Sequence, residues 1–203
     1  MLGATGGIGG HVLDWALDAG HHVHALARRP GALPPAAGLA VTGGDALDAG
    51  AVAEVIEGAD AVVSALGPRG ARSAALLGGA AENIVAAMDK TGARRLICVS
   101  AAGAFITGDP NAGRLVKAIL PRVLARQFAD TRVMEDRARA SDLDWTMVRA
   151  TRLVNGPRTG RYRVGPDYPP RGGWKISRAD VAHFIAAALT DGGWVRSAPA
   201  LAY

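Results

Sequence analysis

The segment Gly3-Ala4-Thr5-Gly6-Gly7-Ile8-Gly9-Gly10-His11-Val12 stands almost at the start of this 203-residue chain and constrains its fold more than any other. Glycine at positions 3, 6 and 9 allows a tight turn, lets backbone N–H groups approach an anion, and lets a helix pack closely on a strand. The helix opening there presents unpaired N–H groups and a partial positive charge, so a phosphate is held without any charged side chain. Such a turn hangs from a central buried strand, and strands usually run about five residues. Only Met1 and Leu2 precede it. A strand that short forfeits ladder bonds and buried side chains at the middle of a sheet. The expectation is that Met1 lies inside the first strand and that the natural chain starts several residues upstream.

Beyond the turn, β-like and α-like signals alternate, which predicts a parallel sheet with helices on both faces. Residues 8–19 read as a helix with Val12, Leu13, Ala16 and Leu17 inward. Strands are expected at His22–Ala27, Leu39–Val41, Ala61–Leu66, Leu96–Ser100 and Trp145–Arg149, with a short edge strand at Arg161–Val164. Helices are expected near 49–57 and 80–91, the latter beginning after the interruption at Gly78-Gly79. Further helices are predicted at 113–125, where Pro121 is unfavourable, and at 128–141. Ser177 caps a last helix to about Leu189, with Asp180 as an acidic variant of the capping box. Together these elements predict one domain spanning 1–203, an α/β Rossmann-like doubly wound parallel sheet with a truncated first strand, which binds a dinucleotide at the glycine turn.

Composition narrows the setting. Hydrophobic residues make up 49% and charged residues 20%, as in a globular protein. No apolar run reaches the roughly eighteen residues needed to span a bilayer, and there is no export signal. A cytoplasmic protein is expected, with no membrane partner. The net charge of +5 comes from 20 Arg and 3 Lys against 18 acidic residues. No basic block is interleaved with aromatics, so nucleic acid is not the expected partner; the charge favours an anionic cofactor or substrate. Cys98, the single cysteine, sits in an apolar run and reads as a buried small hydrophobe. His22 and His24 share one strand face but lack a third ligand, so no metal site is expected. Trp145 and Trp174 read as core or pocket-wall residues.

The candidate cofactor site starts with the turn itself: Gly3, Thr5, Gly6, Gly7, Ile8 and Gly9. Arg28-Arg29 follow the second strand. A carboxylate there would bond a ribose 2′-hydroxyl, whereas guanidiniums pair with a 2′-phosphate and stack beside adenine. NADP is therefore expected, the competing reading being a solvated basic turn. Asp45, beside Ala46, either accepts from the adenine amino group or caps a short helix. Ala65, Leu66 and Gly67 leave room for the cofactor, and Arg69 reaches toward the pyrophosphate. Ser100 ends its strand near the expected nicotinamide, where a hydroxyl either orients the carboxamide or a substrate carbonyl, or merely closes a turn.

With these residues the chain resembles an atypical short-chain dehydrogenase/reductase. More narrowly it resembles the small NAD(P)H-dependent reductases typified by biliverdin-IXβ reductase, or flavin reductase. The resemblance is carried by Ala65-Leu66-Gly67-Pro68-Arg69, Asn83-Ile84-Val85-Ala86-Ala87-Met88, Ser141-Asp142-Leu143-Asp144-Trp145-Thr146, Gly156-Pro157-Arg158-Thr159-Gly160-Arg161-Tyr162 and Ile176-Ser177-Arg178-Ala179-Asp180-Val181. It implies NADPH held by the glycine turn, Arg28, Asp45, Arg69 and Ser100, with Ala150, Thr151 and Arg152 beside the nicotinamide. It further implies reduction of a flavin, a linear tetrapyrrole or a quinone-like acceptor.

Two departures sharpen this reading. Ketone-reducing members use a Tyr-x-x-x-Lys pair in which lysine makes the phenol a better proton donor. None of Tyr162, Tyr168 and Tyr203 is followed by lysine four residues on, and the pair falls on Gln127 and Thr131. Arg152 occupies the position of a histidine in tetrapyrrole-reducing relatives. An arginine cannot act as a general acid at neutral pH but can anchor an acidic substrate. The expected activity is hydride transfer to a flavin, quinone or related small-molecule acceptor, with Ser100 and Arg152 as the candidate catalytic residues and Arg149 adding positive charge. The alternative is a non-catalytic NADP-binding redox sensor. A monomer or homodimer is expected.

Overall fold

In the computed structural model, which describes residues 1–67 and 75–203, hydrophobic alternation sorts the chain into a parallel sheet between two helical layers. The elements in chain order are α1 (Gly7–Asp18), β1 (Val23–Ala27), β2 (Leu39–Gly43), α2 (Ala49–Ile56), β3 (Ala61–Ser64), α3 (Leu76–Thr91) and β4 (Arg95–Ala101). After a 3-10 turn at Ala102–Phe105 come α4 (Arg114–Val123), α5 (Ala125–Arg139), β5 (Asp144–Ala150), β6 (Arg152–Val154), β7 (Arg163–Gly165), β8 (Lys175–Ser177), α6 (Arg178–Thr190) and β9 (Ala200–Ala202).

The main sheet runs β3-β4-β5-β9-β7, and β1 pairs with β2 beside it. Leu2 joins the two pieces through parallel bridges to Leu26 on one side and Ser64 on the other. Its N–H donates to the Val63 carbonyl at 2.8 Å, and its carbonyl accepts from Ala65 N–H at 2.9 Å. Leu2 is 1% exposed, and burying such a side chain contributes about 1.5–3 kcal/mol. The expected truncated strand is thus present as a stub that holds its central place. All pairings in the main sheet are parallel except β7 on β9, which is antiparallel at the edge.

Period-two alternation decides which face each strand residue serves. On β4, Leu96 and Cys98 join the core beneath α2, α3 and α5, whereas Ile97 faces the core shared with α1 and α6. Burial and the nearby Glu135 charge push the Cys98 thiol up to about 12, against a smaller opposing effect of its Ser64 hydrogen bond. That thiol is an inert core group, as expected.

Helix α3 and three short strands differ from the sequence-based expectation. Helix α3 starts at Leu76 rather than after the Gly78-Gly79 pair. Asp130, on α5, accepts from the Leu77 and Gly78 N–H groups at 2.8 and 2.9 Å and caps the helix across 52 or more residues of chain. Helix α4 forms where it was expected and runs through Pro121, which falls near its end, where few backbone bonds are lost. The strands β6, β8 and β9 were not anticipated. Each is three residues long, too short to display a period.

Candidate functional site

The glycine turn closes on itself and on the sheet. Gly6 N–H donates to the Gly3 carbonyl at 2.9 Å. Gly3 has φ +84°, and a Cβ there would lie 2.5 Å from the Ala65 carbonyl oxygen. A Cβ on Gly9 would lie 2.0 Å from the Gly3 carbonyl oxygen. Only glycine permits this crossing of turn, strand end and helix. Gly6 caps α1 without a side-chain hydrogen bond, and the first turn of α1 holds no acidic residue. The N-terminal positive field of α1 is therefore left available to an anion.

A cleft of about 360 Å³ opens at the carboxyl ends of the strands. Its walls bring together most of the expected cofactor residues: Gly3, Thr5, Gly6, Gly7, Ile8, Arg28, Asp45, Ala46, Ala65, Leu66 and Gly67. Gly9 supports this wall from within α1. Arg28 stands exposed at the end of β1, where a carboxylate would mark the opposite cofactor preference. Arg29 is not part of the lining; it precedes the 3-10 turn at Pro30–Ala32. Arg69 lies outside the described residues. The strained turn, the bare helix end and a basic residue at the ribose end fit a dinucleotide phosphate.

Asp45 makes a local turn, its Oδ1 accepting from Leu47 N–H at 3.0 Å, while Asp48 caps α2. The Ala46 carbonyl accepts from the Asn83 side-chain amide at 3.0 Å, so α3, which shares a core with Ala46 and α2, steadies this loop. Arg178 was missed by the sequence reading. It opens α6, lines the cleft, and donates to Asn155 Oδ1 at 2.8 Å. A Cβ on Gly7 would meet its side chain at 2.6 Å, so the guanidinium stem lies against the glycine turn. Its sole sequence signal was a place in the segment Ile176–Val181.

The expected acceptor-side residues are arranged differently. Ser100 is buried and donates to Glu135 Oε1 at 2.6 Å. Glu135, fully buried, also receives Arg149 Nε on Oε1 at 3.0 Å and Arg149 Nη2 on Oε2 at 2.7 Å. Arg139 adds a contact at 3.2 Å. Arg149 further donates to the Asp167 carbonyl and lies 3.6 Å from the centre of the Phe105 ring. The expectation that Arg149 offers charge to an acceptor is corrected: a 4% exposed guanidinium held bidentately by Glu135 is internally neutralised.

Ala150 is buried at the end of β5, and Thr151 donates to the Leu201 carbonyl at 2.9 Å. Neither lines the described cleft; Val99 and Leu153 do. Arg152 is exposed and sits 5.2 Å from the Trp174 ring centre. Trp174 itself is 58% exposed, which corrects its expected place in the core or a pocket wall; Trp145 is buried as expected.

Two of the three tyrosines are committed elsewhere. Tyr162 hydrogen-bonds His183 Nδ1 at 2.9 Å, and burial together with the nearby Asp180 charge pushes its phenol up to about 12. Tyr203 donates to Asp180 Oδ2 at 2.6 Å. Asp180 also accepts from the N–H groups of Thr159 and Gly160 and from the Thr159 hydroxyl. Burial alone would raise its carboxyl; the bonds from Tyr203, Gly160 and Thr159 outweigh that and hold it at about 2. Ser177 accepts from Asp180 N–H at 3.0 Å as the expected cap, but the carboxylate is used on the 159–160 loop rather than on Ser177. No group of three potential metal ligands occurs among the described residues.

Sheet, crossover order and cleft define a dinucleotide-binding domain of the doubly wound α/β class. The chain belongs to the NAD(P)H-binding family, which matches residues 3–192. Among solved structures it is similar to a candidate exported protein from Burkholderia pseudomallei, at 28% identity over 100% of this chain and 97% of that one, with a TM-score of 0.77. ChuY, an anaerobilin reductase from Escherichia coli O157:H7, shares 25% identity over 99% and 94% of the chains at a TM-score of 0.83. A short-chain dehydrogenase/reductase from Veillonella parvula in complex with NADP has the same fold, at 23% identity over 100% and 92%, with a TM-score of 0.82. The fold is that of NAD(P)H-binding oxidoreductases. Among the described residues no helix is long and apolar enough to cross a membrane.

Proposed function

We propose that this protein is an NADPH-dependent reductase that passes hydride to a flavin, quinone or related conjugated acceptor without a tyrosine–lysine dyad. The observation that carries the reading is the site's chemistry at its two ends: a phosphate cradle with Arg28 at one, and Gln127 and Thr131 in place of a tyrosine–lysine dyad at the other. On α5 the dyad positions hold exposed Gln127 and buried Thr131, the Thr131 hydroxyl donating to the Gln127 carbonyl at 2.9 Å. A ketone needs a proton delivered in step with hydride. A flavin or quinone accepts the two electrons of a hydride and takes its proton from water, so it needs no such donor.

In this reading Gly3 and Gly6 shape the turn, and the N–H groups of Gly7 and Ile8 at the start of α1 hold the pyrophosphate, with Arg178 beside them as a cation. Arg28 pairs with the 2′-phosphate and thereby favours NADP over NAD. NADPH, when bound, supplies the hydride. The Ser100 hydroxyl, whose hydrogen is given to Glu135, keeps lone pairs that accept from an amide such as the nicotinamide carboxamide. Glu135 and Arg149 hold that hydroxyl in place. Arg152, exposed beside Trp174, draws an acidic acceptor toward the site. The relative named as an anaerobilin reductase supports a conjugated acceptor, and the relative crystallised with NADP supports the cofactor.

The test follows NADPH absorbance with FMN, riboflavin and a small quinone in turn. Turnover with at least one acceptor, and slower turnover with NADH, is expected. Tight NADPH binding with no oxidation by any of the three would replace this reading with that of a non-catalytic redox sensor.

A further inference from the structure

Helix α4, Arg114–Val123, is amphipathic, yet none of its residues is buried. Leu115, Ile119 and Val123 recur every four residues along one face, with Val116 beside them. Leu115 is 72% exposed and Val123 71%. An aliphatic stripe of this kind is unfavourable in water unless something covers it.

The charge around the stripe identifies what covers it. Arg114, Lys117, Arg122 and Arg126 are the ionisable residues between positions 110 and 129, and all are basic. The two flanking carboxylates are turned to internal use. Asp109 and Asp130 are 6% and 7% exposed, Asp109 accepting from Asn111 N–H and Asp130 from the start of α3. None of the four basic groups forms an ion pair with a carboxylate among the described residues. A second copy of the chain docked through this face would set these cations against their own duplicates, which like-charge repulsion disfavours. The stripe also lacks the Trp and Tyr anchors that dominate protein–protein hot spots. Aliphatic residues bordered by arginine and lysine match a bilayer interface carrying anionic headgroups.

We propose that α4 is an interfacial anchor that lies in the plane of an anionic lipid surface, its aliphatic stripe among the acyl chains and its basic residues among the headgroups. The helix is reached from the carboxyl end of β4, the edge of the sheet on which the cofactor cleft opens. Docking there presents that end of the molecule to the membrane without any segment crossing it. The sequence-based expectation of no membrane partner rested on the lack of a spanning run, which a surface helix does not require.

Flotation with vesicles tests the proposal on the whole chain. The protein is expected to float with vesicles of equal parts phosphatidylglycerol and phosphatidylcholine, and not with phosphatidylcholine alone. It should be released at about 1 M salt, where the screening length is about 3 Å. Arg114→Gln with Lys117→Gln should lower partitioning by roughly tenfold or more. Leu115→Asp with Val123→Asp should abolish flotation while leaving melting temperature and NADPH binding unchanged, since both side chains already face solvent. Absence of flotation, or equal flotation by the aspartate variant, overturns the proposal. A dimer in sedimentation that the aspartate variant converts to monomer also overturns it and assigns the face to a second copy.

Discussion

The two ends of the candidate site are built by different means. The phosphate end comes from adjacent residues: the seven-residue segment in which Gly3, Gly6 and Gly9 create the crossing and α1 supplies the field. The acceptor end comes from residues far apart in the chain. Ser100 on β4, Glu135 on α5 and Arg149 on β5 meet in one buried network. The first is backbone chemistry and tolerates almost any side chain nearby. The second is side-chain chemistry in a low-dielectric setting, where each group depends on the others. Damage to the first should cost cofactor affinity, and damage to the second should cost stability.

The largest expected effect probes the second end. Glu135→Ala leaves the Arg149 guanidinium buried without its partner, and breaking such a pair costs about 3–5 kcal/mol. Thermal melting should drop by many degrees while the dissociation constant for NADPH stays within about threefold of the parent value. A melting temperature close to the parent value would mean that Arg149 finds another partner.

Gly9→Val breaks the first end. Its Cβ would press on the Gly3 carbonyl, displacing the turn, and NADPH affinity should fall by roughly a hundredfold or more, read by calorimetry. Unchanged affinity would show that the cradle does not hold the cofactor. Gly9→Val and Glu135→Ala should thus separate the two readouts.

Asp180 links α6, whose first residue lines the cleft, to the 159–160 loop. Its carboxyl titrates at about 2 when folded, against an ordinary value of 3.8. A depressed folded pKa adds stability that is present above about pH 4 and is lost as pH falls toward 2. The amount is about 2 kcal/mol. Asp180→Asn should lower the melting temperature at neutral pH and flatten the acid limb of the stability curve between about pH 4 and 2. An unchanged acid limb would assign that slope to other carboxylates.

The smallest effect is the most selective. Arg28→Ala should weaken NADPH by about tenfold, roughly one charge-assisted bond, while NADH binding stays the same. Arg29→Ala should do less, because only Arg28 reaches the cleft lining. Equal losses for the two cofactors would remove the 2′-phosphate assignment.

The difference in construction also explains what was legible before the structure. Turn, helix and strand order follow from local spacing, so the doubly wound sheet and most of the phosphate-end residues were readable in the chain. Arg178 was not, because nothing near position 178 signals that it will lie against Gly7. Arg149 was placed correctly on its strand but assigned the wrong task, since its partner Glu135 lies 14 residues away on another element. The early start of α3 went unseen for the same reason: its cap, Asp130, belongs to α5.

By itself the sequence determined the class of fold, the glycine turn that opens α1 and the place of Arg28 at the end of its strand. These depend on conformations that a few consecutive residues impose through sterics and hydrogen bonding. Only the tertiary structure decided which polar groups are neutralised inside and which stay available outside. It buried Ser100, Glu135 and Arg149 together, and it left Arg152, Trp174 and the aliphatic stripe of α4 in the open. Charge and apolarity have no fixed consequence until their surroundings are known, because desolvation and pairing are properties of a neighbourhood that packing assembles.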